Sequence, residues 1–396
     1  MQRFFPLAAF ALLSAAVASI LFPAAPAPED EAALRGADLP RAEPITGRVV
    51  VVIVDAWRRR DALDGVDMPN VKRLAAAGSR GGMLAGLRSF TKPCLRTLFT
   101  GRPGTFRDSV LNVAADDVTE DTLFTRLNVA RIPWGLAAFS PDLPDLFSRD
   151  VREGNVRSFA GRDRKGVGDS YADDDAVEKE ASRLLGDPTR VFVVVHLGSV
   201  DLCGHLFGPG SAAYQRTLAD TDGRIGRIAA RLDLSRDALL ILGDHGADDD
   251  GHHGGPDSLA RETAFVATGR GFGSGAPIFE PADVAPTIAT LLGLCPPVSA
   301  LGAPDARLLN VDPAVLKRRC DACLKARLAL SPALADHGNG SRELDRYLAA
   351  PRFGTAEAAT YRLMGPREGR HEHSRFQAAL GLSMVAAVLG LWWREA

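Results

Sequence analysis

The chain reads as an α/β protein built on a mostly parallel central sheet. Three runs carry that reading: RVVVVIVD (48–55), TRVFVVVHLGSVD (189–201) and ALLILGDH (238–245). They are continuous β-branched and aliphatic stretches without polar alternation, the pattern of strands buried on both faces. Helical stretches lie between them, as a parallel sheet requires. Each run also ends in acidic or imidazole residues, Asp55, Asp201, and Asp244 with His245. That is the sheet edge where α/β proteins place their ligands.

The N-terminal MQRFFPLAAFALLSAAVASILFP puts one Arg ahead of an apolar run of roughly twenty residues, which predicts a signal anchor or transmembrane helix over 1–26. A Pro-Ala-Glu stretch follows and reads as a linker to residue 46. The segment 47–302 holds the three strands and their helices. MPNVKRLAAAG (68–78) predicts a helix with Asn70 as N-cap and Gly78 as stop. TLADTDGRIGRIAARL (217–232) places Leu218, Ile225, Ile228 and Leu232 on one helix face, and DVAPTIATLLG (283–293) starts a helix that tolerates Pro286 in its first turn. Residues 303–375 lean helical without a readable role. FQAALGLSMVAAVLGLWW (376–393) predicts a C-terminal membrane helix, with Trp392 and Trp393 at belt positions. A tail removed on lipid anchoring is the weaker reading. Two spans would place the domain between them in the lumen or outside; the basic GPREGRHEHSR ahead of the second span pulls the other way.

Charge is balanced, 47 Lys and Arg against 49 Asp and Glu, so no nucleic-acid partner is expected. The five cysteines are Cys94, Cys203, Cys295, Cys320 and Cys323. A lone C-x-x-C is weak evidence for zinc, and a local Cys320–Cys323 disulfide is the expectation in an oxidising compartment. Asn339-Gly340-Ser341 matches a glycosylation sequon.

The densest chemistry is LGDHGADDDGHHGG (242–255), with seven acidic or imidazole residues within ten and no Lys or Arg. Carboxylates crowded without cations repel one another, so the stretch asks for a metal. Asp55, Asp201, His205, Asp244, His245 and His253 together are too many for one tetrahedral ion and suit two, zinc or manganese. A two-metal site points to displacement at phosphorus, with either a hydroxide or a side chain attacking. Thr91, ahead of Pro93 and LRTLF, sits where a helix should begin, and helix N-termini favour phosphoryl oxygens.

In this order, Asp55, T-K-P…TG (91–101), D-L-C-G-H-L-F-G-P (201–209) and G-D-H-G…H-G-G (243–255) resemble the alkaline phosphatase superfamily. Within it, the sequence is most similar to the ethanolamine phosphate transferases of glycosylphosphatidylinositol (GPI) anchor synthesis, then to the type I phosphodiesterase/nucleotide pyrophosphatase group. The likeness runs from Arg48 to Gly302. It implies a three-layer sandwich; one metal held by Asp201, His205 and His253; another held by Asp55, Thr91, Asp244 and His245; and Thr91 as nucleophile through a phospho-threonine. It places Asn112 where the family hydrogen-bonds a phosphoryl oxygen. It also selects His253 over His252, since the ligand directly precedes Gly-Gly.

The implied reaction moves phosphoethanolamine from a phospholipid donor to a mannose of a glycolipid acceptor, at the lumenal face of the endoplasmic reticulum membrane. The resembled transferases continue into many further spans and this sequence carries one more at most, so a membrane-tethered phosphodiesterase is the alternative. An inactive binding scaffold is a weaker one. Sulfatase chemistry is not expected, because Thr91 cannot become formylglycine and Cys94 lacks the pattern that follows a sulfatase cysteine. Asp248, Asp249 and Asp250 read as a solvated loop, His196 as a core histidine, and Lys92 as either a phosphate neighbour or an exposed lysine.

Overall fold

Side chains of β1 (Arg48–Val54) alternate between two separate hydrophobic cores: Val49, Val51 and Ile53 enter one, and Val50, Val52 and Val54 the other. Burial on both faces is why this strand shows no polar alternation. The computed structural model describes residues 34–65, 68–103, 118–161, 174–255, 257–275 and 278–330. Within them the sheet adds β2 (Ser79–Leu84), β3 (Trp134–Ala138), β4 (Val156–Ala160), β5 (Phe192–Leu197), β6 (Asp237–Gly243) and β7 (Glu262–Gly269). Their order is β2-β7-β6-β1-β5-β3-β4. β1 lies parallel to both β5 and β6, and β3 parallel to β5 and β4. Only β7 is reversed, pairing antiparallel with β6 and β2. The mostly parallel α/β sheet expected from the strand runs is therefore present.

Helices cover both faces. The first core takes Leu95, Leu98 and Phe99 from α2 (Thr91–Thr100), Phe124 from α3 (Leu123–Val129) and Ile288 from α7 (Val284–Leu291). The second takes Val71 and Leu74 from α1 (Pro69–Ala76), Leu184 from α4 (Asp174–Gly186), and Leu218, Ile225 and Ile228 from α6 (Ala212–Ala229). Each such fully buried aliphatic or aromatic side chain contributes about 1.5–3 kcal/mol. α5 (Ser199–Phe207) follows β5 directly, and α8 (Pro313–Leu330) sets Leu316 into the first core.

Three expectations need correction. Asn70 does not cap α1: Pro69 opens the helix, and the Asn70 side-chain amide donates to Asp222 at 2.9 Å. The second of the three runs forms β5 and stops at Leu197, so Asp201 stands in the first turn of α5 rather than on a strand end. The disulfide joins Cys295 to Cys323, with Cα atoms 5.5 Å apart, and leaves Cys320 free. α8 runs unbroken through both Cys320 and Cys323, and Cβ atoms three residues apart on a helix stand about 5–6 Å from one another, beyond the about 3.5–4.5 Å of a disulfide, while the loop after α7 carries Cys295 against Cys323. The two apolar runs, Asn112 and Asn339 lie outside the described residues. Among the described residues, no helix is long and apolar enough to cross a membrane.

Candidate metal centre

The sheet delivers its carboxylates at one edge. Asp55 follows the last residue of β1 and Asp244 the last of β6, strands that are direct parallel neighbours. Between them the backbone turns at Ala56, which has φ 53° and points its N–H at Asp244 Oδ1, 3.2 Å away. A left-handed alanine is strained, and such strain persists where the surroundings dictate it. Asp244 Oδ1 also accepts the His245 N–H at 2.9 Å. Asp244 Oδ2 and both oxygens of Asp55 are buried without a hydrogen bond.

His245 Nε2 reaches into this gap. It lies 3.4 Å from Asp55 Oδ1, 3.5 Å from Asp244 Oδ2 and 3.3 Å from the Thr91 hydroxyl. Its other nitrogen, Nδ1, is 2.9 Å from the Gly246 carbonyl, which can only accept. Nδ1 therefore carries the proton, and Nε2 presents a lone pair to the gap. Thr91 is the first residue of α2, as its sequence context predicts.

A second group adjoins the first. On α5, Asp201 and His205 are one turn apart and face the same way. Asp201 Oδ1 is 3.3 Å from His205 Nε2 and 3.2 Å from His253 Nε2, and the two imidazole nitrogens are 3.0 Å apart. His253 Nδ1 donates to the Ser89 carbonyl at 2.9 Å, so in the neutral ring Nε2 carries the lone pair. Gly254 holds φ 102°, and a Cβ there would fall 2.2 Å from the Phe90 ring. This close approach explains the Gly after His253. The His245 and His253 rings stack with centroids 4.1 Å apart, so the two groups share a wall.

Burial drives the electrostatics. It raises Asp55 far above the ordinary carboxylate range, and Asp244 and Asp201 push it further. Burial lifts Asp244 to about 6, lowers His245 to about 3 and lowers His196 to about 4. Burial alone would raise Asp201, but the hydrogen bond and charge of a protonated His253, together with His245 and His205, hold it below its ordinary value. Among the described residues, no Lys or Arg pairs with Asp55, Asp201 or Asp244. Imidazole nitrogens of His205, His245 and His253 and orphaned carboxylate oxygens converge with no Lys or Arg among them, a setting that suits a bound cation. The donors fall into two sets, Asp201, His205 and His253, and Asp55, Asp244 and His245, each with ligand atoms within 4.8 Å of one another. Mixed nitrogen and oxygen donors of this kind fit divalent zinc or manganese.

Not every acidic residue joins. Asp249 accepts from Arg58 at 2.8 Å and from Arg60, and so is paired rather than merely solvated. Asp248, Asp250 and His252 approach one another, but Asp248 Oδ1 accepts the Asp250 and His252 backbone N–H groups, which makes a turn. Lys92 is neither exposed nor free: its ammonium sits 3.3 Å from Asp142. His196 was the missed residue. Its ring is wholly buried, Nε2 lies 3.4 Å from Asp55 Oδ2, and neither ring nitrogen has a hydrogen-bond partner. A histidine inside an all-apolar buried strand was the available signal, because buried polar groups demand partners.

Residues 112–268 match the family model described as type I phosphodiesterase/nucleotide pyrophosphatase, a stretch that includes Asp201, His205, Asp244, His245 and His253. Curated relatives include GPI ethanolamine phosphate transferase 2 of Candida glabrata, 28% identical over 56% of this chain and 28% of the relative. The catalytic subunit of GPI ethanolamine phosphate transferase 3 of Mus musculus is 28% identical over 66% of this chain and 26% of its own length. The human transferase 2 catalytic subunit is 25% identical over 71% and 30%. The chain thus spans between a quarter and a third of these relatives. Among solved structures, human ectonucleotide pyrophosphatase/phosphodiesterase 5 aligns with a TM-score of 0.49 and 15% identity, over 67% of this chain and all of that one. Residues 112–268 of this chain are thus similar to the type I phosphodiesterase/nucleotide pyrophosphatase family, and the chain is similar over more than half its length to GPI ethanolamine phosphate transferases.

Proposed function

We propose that the chain is a metal-dependent phosphotransferase that moves phosphoethanolamine from a phospholipid donor to a mannose of a GPI-anchor precursor. One observation carries the reading: the Thr91 hydroxyl, at the N-terminus of α2, adjoins two contiguous donor sets that lack a protein cation. Asp201, His205 and His253 would hold one ion, and Asp55, Asp244, His245 and Thr91 the other. The ions, zinc or manganese, would neutralise phosphoryl oxygens and make the Thr91 hydroxyl acidic enough to react at neutral pH.

The chain's own part follows from placement. Thr91 Oγ1 bonds to phosphorus as the bond to the donor's alcohol breaks, and the threonine proton ends on that alcohol. The first-turn N–H groups of α2 favour the charge on the phosphoryl oxygens. Asn112, outside the described residues, would add a hydrogen bond to one of them. A sugar hydroxyl then attacks phosphorus, its proton returns to Thr91, and the phospho-threonine is discharged. The transferase names of the relatives support the donor and acceptor classes, and the apolar runs at 1–26 and 376–393 support a membrane setting, lumenal in the endoplasmic reticulum.

The description of the matched family supports a second reading, a membrane-tethered phosphodiesterase in which water discharges the same intermediate. Incubation with phosphatidylethanolamine and a mannose-containing acceptor separates the two. Transfer predicts acceptor-dependent loss of donor and little hydrolysis of a chromogenic phosphodiester. Rapid hydrolysis regardless of acceptor selects the phosphodiesterase.

A further inference from the structure

The helix that carries Asp201 and His205 turns an apolar face to solvent. Val200, Cys203 and Gly204 point inward and are buried, while Leu202, Leu206 and Phe207 are 42%, 64% and 62% exposed. An outward helix face is ordinarily polar. Here the three side chains flank His205, itself 40% exposed at the rim of the metal centre. Among the described residues, the other large hydrophobic left this exposed is Leu330, the last of its helix.

We propose that Leu202, Leu206 and Phe207 form a ridge that dips into a bilayer and sets the mouth of the metal centre against the lipid surface. Size argues for lipid over protein. The ridge offers roughly a few hundred Å², below the about 800 Å² per partner that a stable protein interface buries. Shallow insertion needs far less when another segment already tethers the chain, and the apolar runs at 1–26 and 376–393 have the length for that. Charge selects the lipid. Gly251 is packed so closely on Gly204 that a Cβ there would lie 2.2 Å from the Gly204 carbonyl, which brings the loop bearing Asp248 and Asp250 beside the ridge. Such a rim repels anionic headgroups, so the surface it fits is zwitterionic.

The test uses the full chain in nanodiscs of phosphatidylcholine with brominated acyl chains. Phe207→Trp adds one fluorophore to the parent tryptophans, and the difference spectrum isolates it. The expected result is blue-shifted added emission that the bromolipid quenches, and weaker quenching when anionic lipid with the same brominated chains replaces the phosphatidylcholine; equal quenching in the two lipids overturns the zwitterionic preference. Emission at the water-exposed wavelength overturns the proposal. So does a blue shift without bromine quenching, which would mark a protein contact. A second arm replaces all three residues with Ser. The rate on a bilayer-embedded phosphodiester should fall about tenfold, with a water-soluble phosphodiester turned over as before. Equal rates on both substrates, or equal losses, contradict the ridge. The fluorescence arm reads no turnover, so it stands or falls independently of phosphoryl transfer.

Discussion

Asp150 and Asp55 are buried alike, each 1% exposed, yet their surroundings are opposite. Asp150 accepts from Arg35 at 2.7 Å and from the Thr122 and Thr125 hydroxyls at 2.8 Å each. Its neighbour Asp121 takes Arg126 and the Val298 N–H, both at 2.7 Å. Burial raises Asp150 to about 6, and Arg35 and the hydroxyls oppose the rise. At Asp55 burial also raises the carboxyl, but the neighbours Asp244 and Asp201 add to the rise. Both oxygens of Asp55 lack a partner. A carboxylate that serves the fold is supplied with its own cation. Among the described residues Asp55 has no such cation, which is what the proposed metal centre would require of it, and in this the closed region of Asp150 and the open one of Asp55 differ.

The largest expected effect lies at the open region. Thr91→Ala should lower turnover of a phosphodiester by roughly 10³-fold or more while metal content stays near that of the parent, and Thr91→Ser should retain substantial activity. Normal turnover by the alanine variant would place the attacking group elsewhere. At the closed region, Asp150→Ala strands Arg35 and should cost about 3–5 kcal/mol in denaturant unfolding, equally with and without chelator. A chelator-dependent cost would dissolve the contrast between the regions.

Asp55→Asn should behave in the opposite sense. In chelated protein it replaces a buried carboxyl whose ionisation its neighbours oppose, and should leave stability unchanged or raise it by about 1 kcal/mol. In metal-loaded protein it should lower stability, because one ligand is weakened. Destabilisation in both states would mean that Asp55 is a structural carboxylate. The smallest effect is a titration. Asp150 moves from the ordinary 3.8 to about 6 on folding, so the folded chain holds this proton more tightly than the unfolded one. Its contribution is present below pH 3.8 and is lost as pH rises through about 6. The corresponding slope between those values should be absent in Asp150→Asn and insensitive to metal.

Much of this was legible beforehand, because the relevant forces act along the chain. The uninterrupted valines of β1 announced a strand covered on both sides, and the Asp residues after β1 and β6 had no role in the core. What stayed hidden depends on which strands become neighbours. His196 looked like part of an apolar run until the β1–β5 register placed it opposite Ile53, two positions from Asp55. The reversal of β7 has no counterpart in local pattern, since a strand buried on both faces reads the same in either direction. Disulfide connectivity cannot be deduced from cysteine spacing, and the sequence separation of 28 between Cys295 and Cys323 is closed by the packing of α8. Lys92 joined Asp142 through a contact between distant segments.

Element analysis of the purified chain tests the central claim most directly. Two equivalents of a divalent transition metal should copurify or bind on titration, and His253→Ala should bring the count to about one while Asp150→Ala leaves it at two. A parent protein that binds no divalent ion, or a His253→Ala variant that keeps both, would contradict the account.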